Sequence, residues 1–136
     1  MSINKITGEV EFNFDGKKYS VRPELGLAAK IEGVSMFPNQ EMTSIYDIYF
    51  MFSGKKPMIT VMGKFLSSIL DYIGEPMPTA RVCEKVFKMQ GDEKSWFVFF
   101  GEMYEVSLSL CDGGIELEEV KAEEEPSGVT AALVGK

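Results

Sequence analysis

The chain of 136 residues contains no histidine, and no other absence removes as much chemistry. Imidazole is the one side chain that ordinarily titrates near neutral pH, which makes it the usual general base and the commonest metal ligand. Without it, Ser-His-Asp triads, histidine-assisted nucleophiles and histidine-ligated zinc are excluded. Cysteine is scarce: Cys83 and Cys111 stand far apart, with no CxxC spacing. Neither a metal site nor a disulfide framework is expected, and a cytosolic protein with reduced thiols follows as the reading. No cofactor is implied. Basic residues are outnumbered, with 14 Lys and Arg against 21 Asp and Glu and a net charge of −7. Nucleic-acid binding draws most of its affinity from clustered Lys and Arg, so nucleic acid is not an expected partner. Long apolar runs are missing too. The longest, Met58 to Ile73, contains Lys64 and Asp71 and is too short to span a bilayer. Lys5 is followed by Ile-Thr-Gly-Glu rather than by the apolar centre of a signal peptide, so no membrane partner is expected either.

What is present is an ordinary folding composition, 45% hydrophobic and 26% charged, in a length that suits one modest core. The first segment alternates. Ile6 to Phe14 places Val10, Phe12 and Phe14 on one face, and Lys17 to Arg22 adds Tyr19 and Val21 across an Asp15-Gly16 turn, which predicts a β-hairpin over 6–22. Arg22-Pro23 marks a switch to a short helix at about 24–33, because proline suits a first helical turn. A lone hairpin is marginal in water, and this helix, with Leu25, Leu27, Ala28 and Ile31, is the nearest candidate to cover it.

Beyond a loop at Gly33 to Gln40, Ser44 and Asp47 form a capping arrangement ahead of Ile45, Ile48, Tyr49 and Phe52. Helix is the preferred reading, while the aromatic content keeps a strand over 45–52 open. Pro57 opens the clearest helix, with Met58, Met62, Phe65, Leu66, Ile69, Leu70 and Ile73 as its apolar stripe and Gly74 as its stop. Thr79 is the expected N-cap of the next helix, whose inner face carries Val82, Cys83, Val86 and Phe87 up to a stop at Gly91. Asp92 then caps a last helix containing Trp96, Phe99, Phe100, Met103, Val106 and Leu110. Its second half also alternates as a strand from Tyr104 to Leu110, turned by Asp112-Gly113-Gly114 into Ile115-Glu-Leu117; the helix is again preferred. From Glu116 the chain is rich in glutamate and reads as a flexible acidic tail. The fold class is therefore α+β: mostly helical, with an N-terminal hairpin packed on four or five helices. A single domain covers 1–115, with helices to about 111, and the tail covers 116–136.

The hairpin with Asp-Gly-Lys at its turn, the Arg-Pro-Glu-Leu-Gly-Leu-Ala-Ala-Lys-Ile-Glu helix from Arg22, and the mid-chain helix ending Ile-Gly-Glu-Pro-Met-Pro-Thr at Thr79 form an order of elements. Over residues 6–114 this order resembles the small tail assembly proteins of long-tailed bacteriophages and gene transfer agents, the tail assembly chaperone family. Met42 to Phe52 is more aromatic than that pattern, and the acidic tail has no counterpart in it. The resemblance implies a non-enzymatic helper in the cytoplasm of a bacterial host cell. Such a helper coats the tape-measure protein and keeps it soluble while tail tube protein polymerises around it. The alternatives are a structural, tube-associated tail component that stays in the particle, and a generic regulatory protein-binding module. A carboxylate-based enzyme has no residue constellation to start from.

Two features of the residues point toward protein binding. Trp96-Phe97-Val98-Phe99-Phe100 is too continuous for one helix to bury toward a single neighbour, so another element or a second copy of the chain must cover its far side. Nine methionines, among them Met36, Met42, Met51, Met58, Met62, Met89 and Met103, supply adaptable apolar surface or, equally, core filler. Trp96, Phe97, Phe100, Met58 and Met62 are accordingly the candidate protein-interaction residues, and a homo-oligomer is expected.

Overall fold

A computed structural model describes residues 2–114 of the chain. The hairpin forms as its alternation predicts: β2 (Glu9–Phe14) and β3 (Lys17–Val21) are antiparallel, with Val10 opposite Val21 and Phe12 opposite Tyr19. Asp15 and Gly16, at φ 55° and 78°, make the tight turn whose twist matches the strands. Val10, Phe12, Phe14, Tyr19 and Val21 are buried on one face, and the Phe12 and Tyr19 rings stack at 5.5 Å. The other face carries Glu9, Glu11, Asn13, Lys18 and Ser20. Upstream of the hairpin a third strand, β1 (Ser2–Asn4), pairs with β2, so the sheet runs β1-β2-β3. Three residues are too few to show a period of two, and Ile6, read as part of the alternation, lies exposed in the turn between β1 and β2. That turn is held by the Asn4 side chain, whose Oδ1 accepts from the N–H of Ile6 at 2.9 Å.

Five helices follow: α1 (Leu25–Glu32), α2 (Ile45–Ser53), α3 (Ile59–Tyr72), α4 (Thr79–Met89) and α5 (Glu93–Cys111). Both contested segments are helical: α2 covers the first, and α5 runs through Tyr104–Leu110. Ser44 caps α2, accepting from the Tyr46 N–H at 3.1 Å. Thr79 does not cap α4: it lies in the first turn, after Pro78, and its hydroxyl pairs at 3.0 Å with that of Ser67 on α3. Gly74 and Gly113 close α3 and α5 with positive φ and back-bonds from Glu75 N–H to the Leu70 carbonyl and from Gly114 N–H to that of Ser109. The alternative strand at Ile115-Glu-Leu117 and the acidic tail expected at 116–136 lie outside the described residues.

The described residues share one core, in which the hairpin, α3 and α5 meet. The cover of the hairpin is α5 rather than α1. The α5 helix packs on β2, with the Phe14 and Phe99 rings 6.0 Å apart, whereas α1 lies mainly on α3. The reason is apolar width. Only Leu27 and Ile31 of α1 are buried, and Leu25, expected to face the sheet, is 83% exposed. The nineteen-residue α5 carries large side chains on every side. Ion pairs link the parts at their edges, Lys17 to Glu75 at 2.8 Å and Lys85 to Asp15 at 3.1 Å, and solvent screening leaves them minor contributors to stability.

Against one another, α3 and α4 pack most closely at Gly63, where an added Cβ would lie 2.8 Å from the Cα of Cys83. Backbone cannot move aside as a side-chain tip can, so Gly63→Ala is expected to cost about 1–3 kcal/mol in chemical denaturation. Gly101, on the outer side of α5 with open space around it, provides the control. Gly101→Ala should stabilise by about 0.5–1 kcal/mol through helix propensity alone.

Candidate functional site

Nineteen residues at about 100° per residue let α5 distribute its side chains over three directions. Phe99, Glu102, Met103, Val106 and Leu110 turn inward and are buried. Trp96, Phe100 and Tyr104 turn toward α2, where Phe100 meets Phe52 edge-on at 5.2 Å and Tyr104 stacks on Tyr49 at 5.9 Å. The third direction has no helix over it among the described residues. Phe97, Gly101 and Leu108 lie along it, with Val98 at its edge, and Phe97 is 67% exposed.

The outer side of α2 continues this surface. Inward-facing Ile48, Met51 and Phe52 are buried, while Tyr46 and Phe50, one turn apart, face out, with Phe50 63% exposed. Tyr49 joins the two helices, its ring 5.7 Å from that of Phe50 and 5.9 Å from that of Tyr104. The neighbouring Tyr49 hydroxyl holds the Tyr104 phenol above its ordinary pKa. Beyond Phe50 a shallow hollow of about 380 Å³ is lined by Phe37, Phe50, Met51 and Met58, with Lys56 and Asp47 at its rim. The result is an aromatic face running from Met58 and Phe50, across the Tyr49–Tyr104 contact, to Phe97 and Leu108.

Of the five candidate interaction residues, Phe97 and Met58 lie on this face, at its two ends. Trp96 and Phe100 are half-buried in the α2–α5 seam beneath it and support it. Met62 is wholly buried on the inner side of α3 and is core, which corrects the reading of Met58 and Met62 as one surface; α3 starts at Ile59, so Met58 precedes the helix that buries Met62. The methionines divide likewise, with Met36, Met51, Met62 and Met103 buried and Met42 and Met58 exposed. Tyr46, Tyr49, Phe50, Tyr104 and Leu108 were not singled out in the sequence. Their signal was present in α2: once Ile45, Ile48 and Phe52 are turned inward, Tyr46 and Phe50 are aromatics left on the outside.

A second concavity, about 460 Å³, lies between the hairpin turn and the start of α5, lined by Phe14, Asp15, Met89, Lys94, Val98 and Glu102. Glu102 is buried there for a structural reason. The two-residue turn directs the Asn13 N–H away from β3, and β1 ends opposite Glu11, too short to receive it. Glu102 Oε1 accepts that N–H at 3.4 Å. Burial also pushes the thiols of Cys83 and Cys111 above their ordinary pKa, which leaves both as poor nucleophiles at neutral pH. Among the described residues no group of three or more Asp, Glu or Cys is placed to hold a metal ion, and no helix is long and apolar enough to cross a membrane.

In comparisons with protein-family models, curated proteins and solved structures, nothing matches the chain. Its function is therefore argued from its own surface.

Burial raises the Glu102 carboxyl above the ordinary range, and the Asn13 N–H opposes this only in part. The folded protein thus holds the proton more tightly than the unfolded chain, and stability contributed by this group falls as pH rises from the ordinary carboxyl range through the raised value. Glu102→Gln keeps the acceptor and removes the charge. It is expected to melt higher than the parent at neutral pH, with the difference vanishing in acid; equal melting at every pH would contradict the assignment. On the aromatic face, Phe97→Ser and Phe50→Ser should each change stability by no more than about 0.5 kcal/mol, against about 2–5 kcal/mol for Met62→Ala, by urea denaturation.

Proposed function

We propose that this chain is a non-enzymatic holding protein of the tail assembly chaperone type, which binds an extended, helix-rich client such as a tape-measure protein through the aromatic face of α2 and α5. One observation carries the reading: Tyr46, Phe50 and Met58 on the α2 side and Phe97 on the outer side of α5 are exposed large apolar residues, with the half-buried Tyr49–Tyr104 contact between the two helices, where a monomer of this size has no structural use for such a surface. Aromatics and methionine supply large contact area that adapts to different apolar side chains, which suits a client offering many similar sites rather than one. Each contact is weak, and retention comes from many copies bound along one client. The net charge of −7 keeps such a coated client dispersed. The order of elements over 6–114 and its likeness to the chaperone family support the same reading, as does the lack of histidine, of a metal cluster among the described residues and of an activated thiol. Action in the cytoplasm of a bacterial host cell, and self-association on the client, belong to this proposal.

The test is co-expression with the longest helix-rich open reading frame encoded nearby, followed by native mass spectrometry. A soluble complex with many copies per client is expected, and Phe50→Ser with Phe97→Ser should abolish it while leaving the fold intact. Incorporation of the chain into purified particles, with no soluble complex, would instead identify a structural tail component.

A further inference from the structure

We infer that the concavity between the hairpin turn and the start of α5 is a binding site for an organic cation, an ammonium or guanidinium group carried on an apolar stem. The inference does not depend on which client the protein serves. At about 460 Å³ the cavity has the size of a small-ligand site, and its lining includes the Phe14 and Phe99 rings, 6.0 Å apart, with Met89 and Val98. Glu102 lines it too and is only 4% exposed. The strand edge accounts for one oxygen of this carboxylate. Oε1 accepts the Asn13 N–H, a role that a neutral glutamine would fill equally, whereas Oε2 makes no hydrogen bond among the described residues. A buried carboxylate with an unsatisfied oxygen is costly, and a cationic donor is the group that compensates it best.

Charge selects the sign of the ligand. The other ionised groups at the cavity stand in opposite pairs: Asp15 is bound to Lys85 of α4 at 3.1 Å, and Asp92, which also accepts the Ser95 hydroxyl at 2.8 Å, has the Lys94 charge beside it. Glu102 has no salt-bridge partner among the described residues, and the charge of the amino terminus favours its ionisation less than the single Asn13 N–H does. An anion would meet an uncompensated carboxylate, whereas a cation completes the site. The apolar stem lies against Phe14, Phe99 and Met89, and the ring faces attract the positive end as well. Two sources carry this chemistry, a free amine and the basic side chain of a partner protein, since lysine and arginine are apolar stems with cationic tips.

The experiment is a ¹H–¹⁵N NMR titration of the full chain with phenethylammonium, phenethyl alcohol and hydrocinnamate, probes of similar stem that differ in charge. Saturable shifts at Asn13, Gly16 and Ser95 are expected with the ammonium ion, at an affinity about tenfold above that of the alcohol, and none with the carboxylate. Glu102→Gln should bring the ammonium ion down to the affinity of the alcohol. Glu105→Gln, on the same helix outside the cavity, should leave it unchanged. With the ammonium ion bound, its displacement by N-acetyl-lysine methylamide would assign the site to basic side chains, and its retention would assign the site to a free amine. Absence of saturable shifts at these residues, equal binding of the three probes, or an affinity unchanged in Glu102→Gln would overturn the inference.

Discussion

The structure depends on a single helix that is apolar on all sides. Trp96 to Phe100 puts five large side chains in a row, and a helix spreads five consecutive residues around its whole circumference. α5 therefore needs several neighbours. The hairpin takes the side of Phe99 and Met103, and α2 takes the side of Phe100 and Tyr104; Phe97 and Leu108 remain outside. The hairpin in turn depends on α5, which removes the faces of Phe12 and Phe14 from water and, through Glu102, satisfies the strand edge that β1 is too short to reach.

How much of this could be read from the residues follows from periodicity. Where the apolar period was clean and the stops were glycine, as in β2–β3 and α3, position and buried face were legible, while the starts of β2 and α3 fell a few residues later than the pattern indicated. The helical assignment of Ile45–Phe52 and of Tyr104–Leu110 followed from i, i+3, i+4 spacing despite strand-forming residues, because packing on neighbouring helices outweighs intrinsic preference. Two things were hidden. A three-residue strand carries no period, so β1 left no trace. Which helix covers the sheet is a tertiary choice, and chain proximity favoured α1 where apolar width favoured α5.

The candidate surface was half legible for a related reason. Excess hydrophobicity in Trp96–Phe100 indicated that some of it must face away from the core, and Phe97 does. Which residues join it across the α2–α5 seam is set by how two helices lie together, and the Tyr49–Tyr104 contact that merges them has no local signature. Met62 shows the converse: a methionine at the right spacing beside an exposed one is buried, because one residue of difference in where α3 begins separates loop from core.

The central claim is that aromatic and methionine side chains of α2 and the loop before α3 face solvent while their sequence neighbours do not. Hydroxyl-radical footprinting of the intact chain, resolved to single residues, tests it most directly. Rapid modification of Phe50 and Met58, with Phe52, Met62 and Met103 protected, is the predicted result. Protection of Phe50 and Met58 to the level of Met62 in the monomer, or rapid modification of Met62 and Met103, would contradict the account.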